Sequence, residues 1–206
     1  MRIAVLTFDG FNELDSFIAA AIINRMKPKG WRAQIASPTP EVTSMNGVTI
    51  QRQQPLEFAA DADAVLIGSG IYTREIATDP AMLARITLDP ARQLVGAQCS
   101  GTLLLAKLGL IGPLPACTDL TSKPWVIEAG VDVIDAPFVA HANVATAGGC
   151  LASHYLAAWT IARLGSLVDA EDAIHYVAPV GEKRAYVERA MSVITPFLAV
   201  PQIAVT

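Results

Sequence analysis

Leu94 to Gly112, LVGAQCSGTLLLAKLGLIG, constrains this chain more than any other stretch. An apolar run, Leu94-Val95-Gly96-Ala97, halts at Gln98-Cys99-Ser100-Gly101, and a helical apolar stretch starts at Thr102 with no loop residue between them. Leu103, Leu104, Leu105, Ala106, Leu108 and Leu110 leave Lys107 as its one charge, so this helix is expected to be almost wholly buried. Gly109 sits where a helix C-terminus favours a residue free to take positive φ. A strand that enters a helix through so sharp a turn has the geometry of a nucleophile elbow. The corner residue of an elbow is held in strained φ/ψ with its side chain exposed above the sheet. Here that residue is Cys99. A thiol at a helix N-terminus lies in the positive end of the helix dipole, which favours the thiolate. Cysteine also packs as a small buried hydrophobe. The small residues on both sides, Gly96, Ser100 and Gly101, favour the elbow, because a plain buried junction does not need them.

The rest of the chain supplies strands and helices in alternation. Ile3-Ala4-Val5-Leu6 and Ala64-Val65-Leu66-Ile67 are continuous apolar runs, as expected of parallel strands buried on both faces. Between them, Leu14, Phe17, Ile18, Ala21 and Ile22 mark a helix that stops near Pro28 to Gly30, and Ala33 to Ala36 reads as a strand. Asn46-Gly47 between Val42–Met45 and Val48–Gln51 signals a hairpin. Pro80 to Arg92 is expected to be mostly helical, and Val131–Ile134 and Asn143–Thr146 to be strands. Helices are expected over about 151–164, 169–177 and 183–195. This order means an α/β fold: a three-layer α/β/α sandwich with a mostly parallel central sheet. Ligands in such sheets bind beyond the carboxyl ends of the strands. Three of those ends carry chemistry: Asp9 to Asp15, Gly68 to Gly70, and Cys99.

Composition bounds the function. With 206 residues, 52% of them hydrophobic, the chain can bury a sizeable core, most simply as one domain over 1–206. A net charge of −4 without a Lys/Arg cluster argues against a nucleic-acid partner. No apolar run reaches membrane-spanning length, and the N-terminus reads as a core strand rather than a signal peptide. Three cysteines, Cys99, Cys117 and Cys150, cannot all pair and lack zinc-like spacing, which fits a reducing, cytoplasmic setting. No metal and no cofactor is expected. Cys117 and Cys150 are expected to be packing residues, His154 a structural histidine, and Glu13 solvated surface.

The order DGFNELD, a hairpin with Asn46-Gly47, DAVLIGSG, AQCSGTLLLAKLGLI and NVATAGGCLASHYLAAWTIARLG resembles the ThiJ/PfpI superfamily, the DJ-one-like proteins. The resemblance runs from residue 1 to about 177 and is nearest the isonitrile hydratase-like branch. It implies a flavodoxin-like fold of the class I glutamine-amidotransferase type and a homodimer. It also implies that Cys99 is the elbow nucleophile and that Asp15 is the carboxylate hydrogen-bonded to it. The backbone N–H groups of Gly70 and Ser100 would form an oxyanion site. Two departures stand out. The family's Pro-Gly-Gly turn is Gly68-Ser69-Gly70 here, and the position where many members carry a histidine partner falls on Asp119. No Cys-His dyad carries over.

A carboxyl beside a thiol can hold a shared proton and act as general acid or base. From local sequence alone, Asp15 reads better as a first-turn carboxylate behind an Asn12 N-cap, and only the resemblance turns it toward the active site. Asp119 reads equally as a solvated loop residue and as a site residue. The leading expectation is a cysteine-dependent enzyme hydrating or hydrolysing a small substrate at a carbon–nitrogen or carbonyl group, isonitrile hydration being the most concrete version. The alternative is a non-catalytic redox sensor or stress-response protein that oxidises at Cys99. With carboxyls on both sides, Cys99 is expected to be less acidic than in relatives that keep the histidine.

Overall fold

A computed structural model describes residues 1–199 of the protein. In chain order its strands are β1 Arg2–Leu6, β2 Arg32–Ser37, β3 Glu41–Thr43, β4 Thr49–Gln51, β5 Gln54–Pro55, β6 Ala64–Ile67, β7 Leu94–Gln98, β8 Phe138–His141 and β9 Val144–Ala147. Its helices are α1 Glu13–Ile23, α2 Thr73–Ile76, α3 Pro80–Ala84, α4 Gly101–Lys107, α5 Lys123–Glu128, α6 Ser153–Leu164, α7 Leu167–Val177 and α8 Lys183–Ile194. Seven strands form one sheet in the order β5-β2-β1-β6-β7-β9-β8, parallel except for β8 against β9. β3 and β4 form a separate hairpin.

Apolar residues on consecutive positions of each central strand serve two cores, one on each face of the sheet. Ile3, Ala64, Leu66, Leu94 and Ala145 pack with residues of α1, α6, α7 and α8. Their neighbours Ala4, Leu6, Val65, Ile67, Val95 and Ala97 pack with Leu104, Leu105 and Val126 of α4 and α5. The three layers follow, because a strand apolar on both sides needs a helical cover on both sides.

Several expected elements differ. Pro80–Arg92 is helical only to Ala84. Asp89 precedes Pro90, a position that disfavours helix, and its carboxylate instead accepts the Ala91 N–H (2.9 Å). Val131–Ile134 is not a strand: it makes one bridge, Val133 to Ala116. The Leu114 N–H, which would extend a ladder from that bridge, turns instead to the Ile111 carbonyl (3.4 Å). The edge of the sheet is taken instead by β8, unread in the sequence. It turns into β9 through Ala142 at φ 52, where Arg163 holds the Ala142 carbonyl (2.6 Å) and the Asn143 side chain (2.7 Å). α2 was likewise unread. The hairpin forms, but its strands stop at Thr43 and Thr49, and Ser44 closes the turn between them by hydrogen bonds to Val48. Among the described residues no helix is long and apolar enough to cross a membrane.

Candidate active site

The elbow forms where the sequence places it. β7 ends at Gln98, paired in register with Ala147 of β9, and the Cys99 N–H continues the pairing to the Ala147 carbonyl (2.8 Å). Cys99 then takes φ 49, a left-handed conformation that costs a non-glycine residue about 1 kcal/mol or more. α4 starts two residues later. It lies so close to β6 that a Cβ on Gly101 would stand 2.7 Å from the carbonyl oxygens of Ile67 and Gly68. The small residues around Cys99 are therefore a packing requirement. At its other end α4 closes as expected. Gly109 takes φ 72, the Leu110 N–H reaches the Leu105 carbonyl (3.0 Å) and the Gly109 N–H that of Ala106 (3.0 Å), a Schellman closure.

Cys99 does not stand open above the sheet. It is 3% exposed, and its neighbours are Asp15, from the first turn of α1, and Cys150, three residues past β9. One carboxylate oxygen and the two sulfur atoms all lie within 4.8 Å of one another. Asn12 fixes the α1 end of this group. Its side-chain oxygen caps the helix through the Leu14 N–H (3.0 Å), while its amide donates to the Cys150 sulfur (3.2 Å) and its backbone N–H to the Ser69 carbonyl (2.8 Å). Ser69 in turn donates its hydroxyl to Asp15 Oδ2. Asp15 Oδ1 is buried without a hydrogen-bond partner among the described residues.

The electrostatics follow from burial. Desolvation pushes the Asp15 carboxyl above the ordinary carboxylate range, and the Ser69 hydrogen bond only partly offsets it. The Cys99 thiol is raised strongly, first by burial and then by the Asp15 charge. Cys150 is raised too, by burial and then by Asp15. Burial and the nearby carboxylate both act against ionisation of the thiols, so the site favours a protonated Cys99 over a free thiolate. Cys117 lies apart in the core. Burial lifts its thiol to about 12, and its backbone is tied to Thr146 and Thr102 (2.8 Å each).

The remaining predicted residues fall around this group. The Gly70 N–H points to Ser100 Oγ (3.2 Å), and Ser100 Oγ also bonds Thr73 Oγ1 (2.8 Å). One of the two expected oxyanion donors is thus already engaged. Asp119 lies outside the three-atom cluster. Its Oδ1 accepts the N–H groups of Thr121 (2.9 Å) and Ser122 (3.0 Å), which closes the turn before α5, and its Oδ2 is buried without a partner among the described residues. Its charge adds the smallest of the pushes on Asp15 and Cys99. His141 bonds the Pro115 carbonyl (3.0 Å). His154 lines an apolar cavity of about 670 Å³ with Ile18, Tyr155 and Tyr186, whose lining includes none of the three clustered residues. Glu13, read as surface, accepts from Ser44 (2.5 Å) and Asn46 (2.8 Å) and clamps the hairpin to α1.

Sequence reasoning missed Cys150 and Ser69, and saw in Asn12 the helix cap that it is but not its hydrogen bond to the Cys150 sulfur. Cys150, read as packing, is the most consequential, and its one signal was its place just beyond Gly148-Gly149 at a strand end. Two thiols and a carboxylate are also donors suited to a thiophilic divalent cation; Asp15, Cys99 and Cys150 are the residues that would hold one.

A comparison with curated protein sequences finds no match. Among solved structures, a ThiJ/PfpI family protein from Pseudomonas syringae superposes with a TM-score of 0.72 at 20% identity, over 96% of this chain and 89% of its own. DJ-1beta of Drosophila melanogaster gives 0.71 at 19%, over 85% and 96%. A DJ-1 superfamily protein from Salmonella typhimurium, solved as a cysteine-to-alanine mutant, gives 0.73 at 22%, over 86% and 98%. At these identities the likeness is one of fold. The family itself is fixed by sequence, because the model of the DJ-1/PfpI family matches residues 1–162, and to that family this chain belongs.

Proposed function

We propose that the chain is a cysteine-dependent enzyme that hydrates a small electrophilic molecule at a carbon–nitrogen bond, with an isonitrile as the substrate type. The observation that carries this reading is the buried grouping of the Cys99 thiol with the Asp15 carboxyl, within 4.8 Å, close enough for Asp15 to act on the thiol proton. The terminal carbon of an isonitrile must gain a proton as well as a nucleophile, and a protonated thiol–carboxylate pair supplies both. The Cys99 sulfur bonds that carbon while its proton is delivered there through Asp15, giving an enzyme-bound thioimidate. Water then adds to the same carbon, with Asp15 taking its proton and passing it to nitrogen. The carbon–sulfur bond breaks, and the products are a formamide and the restored thiol.

This route asks for no oxyanion in its first step, so it tolerates a Gly70 N–H already bonded to Ser100. Hydrolysis at a carbonyl would need that donor, and chemistry built on a Cys-His dyad would need a histidine where Asp119 stands. A reducing, cytoplasmic setting and a homodimer belong to the same reading; the three free thiols are compatible with the first. The test is formamide production from a simple alkyl isonitrile. Wild type should turn over, while Cys99→Ala and Asp15→Asn should each fall by at least about a hundredfold, the usual worth of a nucleophile or proton carrier. Equal rates in all three proteins would sink the mechanism.

A further inference from the structure

Cys150 has no part in that hydration, yet the fold clamps it to the elbow. β7 and β9 are adjacent parallel strands, with Gln98 opposite Ala147. Past their ends, the Gln98 side-chain amide donates to the Gly149 carbonyl (2.7 Å) and to the Cys99 sulfur (3.5 Å). Both sulfurs lie within 4.8 Å of each other and of the Asp15 carboxylate. The two thiols are unequal: Cys99 is buried, while Cys150 is partly exposed.

We propose that Cys150 is the resolving thiol of Cys99, so that the chain reduces hydroperoxides with its own dithiol and closes a Cys99–Cys150 disulfide. In the first step the Cys99 sulfur takes the distal oxygen of the hydroperoxide. The O–O bond breaks, and the thiol proton, relayed by Asp15, leaves with the alcohol or water. Cys99 is then a sulfenic acid. In the second step Cys150 attacks that sulfur, Asp15 moves the Cys150 proton to the departing hydroxyl, and water leaves. Each hydroperoxide is reduced by two electrons and the two thiols are oxidised by two. A sulfur already within 4.8 Å acts at a local concentration that dilute hydroperoxide does not match, so the disulfide forms before the sulfenic acid meets a second oxidant. An external thiol would reopen the bond by attacking the accessible Cys150 sulfur. The chemistry needs neither an electrophilic carbon nor oxyanion donors, so it stands apart from the hydration reading.

The test treats the full chain with one equivalent of hydrogen peroxide in the presence of a chelator, followed by intact mass, thiol titration and peptide mapping. Wild type should lose two hydrogens and two of its three thiols, with Cys99 linked to Cys150, and a dithiol reductant should restore both. Cys150→Ser should form no link and instead yield a Cys99 sulfenic acid trapped by dimedone at least tenfold more than in wild type. Cys150→Ala repeats the test without a hydroxyl. Equal dimedone labelling of wild type and both variants, direct oxidation of Cys99 to sulfinic acid in wild type, or a link involving Cys117 would each overturn the proposal, whatever the isonitrile assay shows.

Discussion

Replacing Asp15 by asparagine is expected to make Cys99 more reactive toward an alkylating agent while making the protein inactive as a hydratase. After burial, the Asp15 charge is the main reason the Cys99 thiol is held above its ordinary range. A like charge nearby disfavours the thiolate, and a more acidic thiol is also a weaker nucleophile, so its removal should raise the iodoacetamide rate at pH 8 by about tenfold. Asp119→Asn should move the same rate far less, because the Asp119 charge is the weakest of the pushes and its side chain is occupied by the turn at Ser122. An alkylation rate unchanged by Asp15→Asn would mean that the carboxylate does not face the thiol in solution. The pair of readouts matters, since a merely misfolded site would lose turnover without gaining a more acidic thiol.

The same substitution should stabilise the fold, with a definite pH dependence. Burial raises the Asp15 carboxyl, so the folded chain keeps its proton at pH values where the unfolded chain has lost it. The stability linked to that proton is full below the unfolded value of about 3.9 and is lost as pH rises through the higher folded value. Asparagine carries no charge at any pH and escapes the loss. Urea unfolding should therefore find Asp15→Asn no more stable than wild type near pH 3 and more stable at pH 7. A wild type favoured at pH 7 would show that the carboxylate is well solvated or paired. Keeping a costly carboxylate against two thiols is the kind of strain that active sites retain against stability.

Local patterns made the scaffold of this site legible. Leu94 to Gly112 contains strand, elbow, helix and C-terminal glycine within one stretch, each set by neighbours in sequence, and all four stand where the residues place them. Asp15 was different. Its spacing behind Asn12 fits a helix cap as well as a catalytic group, and only the family likeness pointed to Cys99. Cys150 carried only the weak signal of its place after Gly148-Gly149, because its approach to Cys99 depends on β9 lying next to β7, a pairing between residues about fifty apart. Val131–Ile134 was misread for the same cause, whereas Pro80–Arg92 stops short for a local one at Pro90. Val131–Ile134 carries an apolar run suited to a strand, but the place beside β9 belongs to β8. Asp119 shows the converse: its position matches the family's histidine, yet a short carboxylate within reach of two N–H groups closes a local turn.

The tightest backbone approach beside the site gives the largest expected stability effect. A Cβ on Gly148 would lie 2.3 Å from the Thr118 carbonyl oxygen and 2.9 Å from its carbon, and a backbone neighbour cannot rotate away. Gly148→Ala must therefore push the end of β9 from the Ala116–Asp119 segment. Thr118 would carry the displacement to the elbow, because its hydroxyl donates to the Cys99 carbonyl (2.8 Å). Overpacking of this kind costs about 1–3 kcal/mol where neighbours can yield. Here the contact is backbone against backbone, so a loss at or above about 3 kcal/mol is expected, a large part of the roughly 5–15 kcal/mol that holds a domain folded. Gly109→Ala provides the comparison. Its φ of 72 also disfavours alanine, but nothing lies within 4 Å of the added carbon, so only the conformational penalty of about 1–2 kcal/mol remains. Denaturant midpoints should rank wild type above Gly109→Ala and Gly109→Ala above Gly148→Ala. At concentrations where both variants are folded, only Gly148→Ala should change the alkylation rate of Cys99. If the two glycine variants unfold alike, the contact between Gly148 and Thr118 is looser than the structure places it, and the elbow does not depend on it.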